Sequence, residues 1–374
     1  MKRQLLSLFV LLSIFTLSAC GGQSNEAPPE LIDKQLNQIM AAKSRFAVAK
    51  IPTPVLNTNS WDSIFGGPNG EELKYDRFGE IDEIVFVALK GTTFNIQRQI
   101  RKETRTGKDT IYYKVTTPDY QGSETLWVDG RFLDLRDIQP KDERPSLSTA
   151  KTLIALRRYE GSPYVWHGAS DLGVSELLDF YPPASTVSER TKDDWKLRGF
   201  DSLGLLYHAS NGASPLDMKA IARFGKAVYE DLGSLIAEEG NDDPNAVRIK
   251  QAKTLLSSLR PLDIIVMGDR MWTVLDGSEV IESKYSSKFA GKAQISPLFD
   301  TLFGLLQKGV FVENPFEELE EANAKKFYIR RYVDTANLVI GLADKDKDKE
   351  SDGDSISSGK EELPVEEPTD LDTE

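Results

Sequence analysis

A chain of 374 residues with 40% hydrophobic and 28% charged residues has enough apolar mass for two modest cores, which excludes a fibrous or wholly disordered molecule. Lys and Arg number 46 against 59 Asp and Glu; the net charge of −13 has the wrong sign for coating a nucleic acid, and no such partner is expected. One cysteine and two histidines supply no disulfide framework, thiolate zinc site or His-rich metal centre, so neither metal nor cofactor is expected.

At the start of the chain, Lys2 and Arg3 precede the apolar run LLSLFVLLSIFTL, which is too short for a stable membrane span and reads as a secretory leader over residues 1–19. The run ends in Leu17-Ser18-Ala19-Cys20, followed by Gly21 and Gly22, and resembles the lipobox of bacterial lipoproteins. That resemblance implies lipid on Cys20 and an exported, membrane-anchored protein. Because no Asp follows the cysteine, it further implies the outer membrane, facing the periplasm, where the source has two membranes. Residues 20–47 read as a polar tether with one helix from Leu31 to about Phe46.

Residues 48–144 are read as a small β-barrel: IVFVALKGTTFNI, TIYYKVTT and TLWVDGRFL are strand-like and are punctuated by KG, TGKD and DG. The spacing of Phe94, Tyr112, Tyr113, Trp127 and Phe132 resembles the bacterial Src-homology-3-like modules that accompany cell-wall enzymes. Those aromatics suit a core or a ligand groove equally well. The proline-containing run IQPKDERP then leads to the next unit.

Residues 145–340 begin with the helical pattern SLSTAKTLIALRRYEG. They continue with Ser162-Pro163-Tyr164-Val165-Trp166-His167-Gly168 and Gly199-Phe200-Asp201-Ser202-Leu203-Gly204. These two segments resemble the NlpC-type cell-wall peptidases, papain-like enzymes that cut the peptide stems of peptidoglycan and carry Tyr-x-Trp-Gly-Gly and Asp-Cys-Ser-Gly. The stretch from Leu259 to Ile265 resembles the strand before that family's histidine, and Lys326 to Arg331 its closing strand. The expected fold is therefore α+β, helices packed on an antiparallel sheet, after the all-β module. Tyr164, Trp166, His167 and Asp201 are the expected cleft residues.

The resemblance places Ser202 at the nucleophile, Arg270 at the histidine and Glu282 at the third polar position, and it implies that 270 and 282 face each other near Ser202 as an ion pair, on strands joined by the Asp276-Gly277-Ser278 turn about a centre at 276. Cysteine chemistry needs a thiolate at a helix N-terminus and a base to take its proton. A serine hydroxyl is far less acidic, and arginine has five donors and no acceptor. Pro215-Leu216-Asp217 also lacks the family's substrate-facing arginine. The leading expectation is a non-catalytic envelope protein that binds peptidoglycan peptides or a partner protein, or that regulates an active hydrolase. The alternative is an endopeptidase using Ser202 with a relocated base. His208 lies about 240° round the same helix at roughly 100° per residue, which leaves His167. Asp201 reads most simply as the helix N-cap.

Three further segments complete the reading. Residues 171–195, with Tyr181-Pro182-Pro183, are too long for a minimal connection and suit a lid or a helix-bearing insertion. Residues 315–326 read as a solvated helix or loop. Residues 341–374 read as an acidic disordered tail: from Asp344 it carries −9 of the net charge, leaving −4 for the rest. The tail's Asp348-x-Glu350-x-Asp352-Gly353 resembles the start of a calcium loop, but Gly359 stands where the bidentate Glu belongs.

Overall fold

The computed structural model describes residues 44–67, 69–77, 80–144, 148–237, 243–285, 291–316 and 325–332. The leader, Cys20, most of the tether and the acidic tail lie outside them, as do residues 317–324. The described architecture is α+β: a seven-stranded antiparallel sheet is followed by helices and a second, mostly antiparallel seven-stranded sheet.

The first sheet contains β1 (Phe46–Ala49), β2 (Thr53–Leu56), β3 (Ile84–Ala88), β4 (Thr93–Glu103), β5 (Asp109–Thr116), β6 (Leu126–Asp129) and β7 (Leu133–Arg136), in the order β3-β2-β6-β5-β4-β1-β7. Phe46 therefore opens a strand instead of closing a helix. Its alternation of half-buried and buried residues is the two-residue period of a strand, and β4 and β7 pair with it on either side. β4 and β5 are joined by a hairpin in which Gly107 sits at φ +74°, a conformation that a side chain would strain, and its N–H closes the turn on the Thr104 carbonyl at 2.8 Å. Phe94, Tyr112, Tyr113, Trp127 and Phe132 are all buried, so these aromatics serve packing. Around Trp61 the rings of Phe65, Tyr112, Phe132 and Tyr181 lie 5.5 to 6.1 Å away, centroid to centroid.

Tyr181 comes from the 171–195 segment, which proves to bear helices: α2 (Glu176–Phe180) and α3 (Glu189–Trp195). Its hydroxyl donates to the fully buried Asp129 carboxylate at 2.6 Å, and its carbonyl accepts from the Trp195 indole at 2.9 Å. Leu177, Tyr181, Trp195 and Leu197 share one apolar cluster with the first sheet, so the insertion is built into its core. A second tie runs through Arg144. Its guanidinium grips Asp119 at 2.6 and 2.8 Å and donates to the Tyr207 hydroxyl at 3.2 Å. Tyr207 belongs to α4 (Ser202–Ala209), and in this way the helix that begins at Ser202 is fixed to the first sheet.

The second sheet contains β8 (Lys226–Val228), β9 (Asp263–Met267), β10 (Arg270–Val274), β11 (Glu279–Lys284), β12 (Lys292–Pro297), β13 (Gly309–Phe311) and β14 (Lys325–Arg331). Its order is β8-β14-β9-β10-β11-β12, with β13 parallel to β14. Helices α1 (Thr149–Arg158) and α4 cover one face, where Leu156, Leu205 and Leu206 pack on Ile264, Met271 and Ile281. On the other face, α6 (Pro244–Ser258) and α7 (Leu298–Lys308) pack Leu255, Leu298 and Leu302 on Ile265, Val274 and Val280; the short α5 (Met218–Ile221) precedes them in the chain. Covered on both sides, β9 is buried at every position and reads as an unbroken apolar run after Asp263.

The hairpin between β10 and β11 corrects one expectation. Residue 270 was expected opposite 282 about a centre at 276. The ladder pairs Thr273 with Ile281 and Val274 with Val280, which centres the turn on Gly277 and sets Trp272 across from Glu282. The turn residues are Asp276-Gly277-Ser278 and their centre is 277 because Leu275 still bonds Glu279 at 2.9 Å, while the Asp276 carboxylate takes up the N–H groups of Ser278 and Glu279.

Candidate functional site

Asp201 stands at the N-cap of α4, where its Oδ1 accepts the Gly204 N–H at 2.6 Å, as its place before an apolar helical run requires. Gly204 and Gly168 are glycines for a packing reason. A Cβ on Gly204 would sit 1.8 Å from the Gly168 carbonyl oxygen, so only glycine lets the helix start approach the Tyr164–Gly168 segment. That segment is further fixed by Tyr164 bridging to Phe200 and by the Tyr164 N–H donating to Gly291 at 2.7 Å.

A cleft of about 320 Å³ results, bringing together Tyr164, Trp166, His167, Asp201, Ser202, Arg270 and Glu282. All seven cleft and catalytic-position residues singled out in the sequence thus line one cavity. Glu80, Leu203, Met218, Asp269, Ser283, Lys284 and Tyr285 line it as well. Glu80 comes from the loop before β3, more than eighty residues away in sequence, and nothing local marks it. Ser283 could have been found, since it follows Glu282 by one residue on a strand and so must face α4 when Glu282 faces away.

Ser202 Oγ donates to the Ser283 carbonyl at 2.8 Å and accepts the Ser283 N–H at 3.2 Å. The Ser283 hydroxyl in turn donates to the Phe200 carbonyl at 2.6 Å. Ser202 therefore spends its one proton and a lone pair on the backbone of β11, and among the described residues no histidine or carboxylate bonds it. His167 lines the same cleft, in a left-handed conformation at φ 53° and stacked on Trp166 at 4.4 Å. Its Nδ1 donates to the Ile84 carbonyl at 2.7 Å, which makes Nε2 the accepting nitrogen. His208 is turned away: Nδ1 meets the Ala169 carbonyl at 2.9 Å, Nε2 lies 3.7 Å from Asp171, and burial holds its pKa below the usual value.

Arg270 Nη2 meets Glu282 Oε2 at 2.6 Å, and Gln294 donates to the other Glu282 oxygen at 3.2 Å. The Glu282 side chain is 7% exposed and the Arg270 side chain 37%; the guanidinium lies 4.4 Å over the Trp272 ring, and its Nε is buried with no hydrogen-bond partner among the described residues. Arg270, Glu282 and Asp269 also line a larger cavity of about 820 Å³ beside α7, which contains none of the helix-start residues.

The cleft leans acidic. Burial raises the Asp201 carboxyl above its usual value, against the pull of His167 and of nearby backbone N–H groups. Burial and then the charges of Asp201, Glu80 and Asp269 push the Tyr164 hydroxyl well up. Beside it, Asp76, Glu80 and Asp82 bring carboxylate oxygens within 4.8 Å of one another. Asp76 already accepts the Glu80 N–H at 2.8 Å, so the trio forms a tied turn, and no metal role is assigned to it.

No model of a known protein family matches the chain, and no curated protein matches it.

Proposed function

We propose that this is an exported lipoprotein, anchored through Cys20, whose first sheet is a bacterial Src-homology-3-like module and whose second is an NlpC-type papain-like domain that has lost its peptidase chemistry. Its cleft holds the peptide stems of peptidoglycan without cutting them. The single observation that carries this reading is the state of Ser202: its hydroxyl is bonded twice to the Ser283 backbone and meets no base among the described residues. General-base catalysis needs an acceptor within about 3.2 Å of the proton to be taken. The place of the family's histidine is filled by an arginine engaged with Glu282. The acidic groups around Tyr164 suit a ligand that carries an ammonium group.

One observation favours a hydrolase instead: His167 Nε2 makes no hydrogen bond among the described residues and belongs to the same cleft. Incubation with purified sacculi separates the two. The binding reading predicts co-sedimentation of the protein with sacculi and no soluble stem fragments. Fragments released by the wild type and not by Ser202→Ala would establish the hydrolase.

A further inference from the structure

A second cavity of about 610 Å³ adjoins the cleft and shares Tyr164, Trp166 and Tyr285 with it. Its floor is the apolar surface of Ile81, Pro163, Val165 and Leu197, and Tyr75 closes it from the first sheet's side. Helix α3 supplies Glu189, Arg190, Asp193 and Asp194 along one rim. Tyr75 and Tyr285 keep 46% and 41% of their surfaces exposed, unlike the buried ring cluster around Trp61. Exposed rings in a concave site, beside carboxylates and guanidinium groups, mark a ligand cavity and not a core.

We propose that this cavity is a saccharide subsite, taking the sugar end of a glycopeptide whose peptide lies in the Ser202 cleft; the inference rests on that peptide-binding reading. A pyranose ring is amphipathic. Its C–H faces pack on flat aromatic surface, and its hydroxyls need donors and acceptors at the ring's edge. Tyr75 and Tyr285, both exposed, offer ring surface, and Trp166 adds what its stacking on His167 leaves open. Asp194 and Arg190, whose charges act on the Tyr75 hydroxyl, offer an acceptor and a donor beside them. The volume falls in the range of small-molecule sites, about 300–1,000 Å³. Because Tyr164, Trp166 and Tyr285 form a wall common to both cavities, a ligand joined covalently across it reaches both, and the second contact adds affinity as an intramolecular event.

The experiment is calorimetric titration of the full chain in detergent with three probes: a free stem tetrapeptide, the same peptide on its disaccharide, and the peptide-free disaccharide. The disaccharide-peptide is expected to bind at least tenfold more tightly than the peptide. Tyr75→Ala and Arg190→Ala, both at exposed positions, are expected to cut that gain below threefold and leave free-peptide affinity unchanged, and Tyr75→Phe to keep it. Equal affinity for the two peptide ligands, or a gain untouched by both alanine variants, overturns the subsite while leaving the peptide cleft standing. Binding of the disaccharide and disaccharide-peptide without binding of the peptide upholds the subsite and removes the peptide reading. Binding of none of the three removes both.

Discussion

Removing either partner of the Arg270–Glu282 pair exposes the unequal burial of its two charges. In Arg270→Ala the Glu282 carboxylate, 7% exposed, keeps only the Gln294 amide and backbone surroundings. An uncompensated buried charge costs about 3 kcal/mol, and loss of the guanidinium over Trp272 adds about 0.5 kcal/mol. In Glu282→Ala the arginine left behind has a side chain 37% exposed, water reaches part of it, and the cost falls to about 1 kcal/mol. At roughly 2–4 °C per kcal/mol, the arginine variant should melt ~7–14 °C below wild type and the glutamate variant ~2–4 °C below. The double variant carries no orphaned charge and should lie well short of the sum, with a coupling of about 1 kcal/mol or more. Thermal and urea unfolding of the four proteins measures this. Full additivity, or a glutamate variant less stable than the arginine variant, would refute the reasoning.

Four further outcomes are expected. Ser202→Ala strands the Ser283 N–H and carbonyl and should cost about 1–2 kcal/mol in urea unfolding, whereas a side chain idle in the cleft would cost nothing. Ser202→Cys should gain no peptidase activity against stem peptides, since Arg270 cannot accept a proton; measurable cleavage by that variant would reverse this view of the site. Asp201, raised in the folded state, binds more protons folded than unfolded, so it should lower stability as pH rises from about 4 through its folded pKa. In Asp201→Asn that downward slope should flatten, and an unchanged pH profile of unfolding would contradict the burial argument. Cys20→Ala should move the protein from the membrane to the soluble fraction, and a wild type that is already soluble and uncut at Cys20 would defeat the anchor.

Much of the site could be read from residue types because its constraints are local. Asp201 before an apolar helical run announces an N-cap, and Gly168 and Gly204 mark a backbone approach that no side chain permits. The strands β9 and β14 fall on the two segments that the resemblance marked as strands, Leu259 to Ile265 and Lys326 to Arg331. What escaped depends on distance along the chain. Glu80 reaches the cleft only because the first sheet packs against the second half, an arrangement fixed by Arg144 with Asp119 and Tyr207 and by Tyr181 with Asp129. Isolated charged residues in loops carry no periodicity from which such a clamp could be inferred. The β10–β11 hairpin turns at Asp276-Gly277-Ser278 as expected, but its register is centred on 277 and not 276, a choice that the Leu275–Glu279 bond makes.

The claim that this cleft binds a peptide and leaves it whole is tested most directly by adding a free stem tetrapeptide to the isotope-labelled protein, following amide resonances around Ser202, and weighing the peptide afterwards. Saturable shifts at residues 164–168 and 201–204, with the peptide mass unchanged after prolonged incubation, are the predicted result. No shift at any concentration, or a peptide cut by wild type and spared by Ser202→Ala, would contradict it.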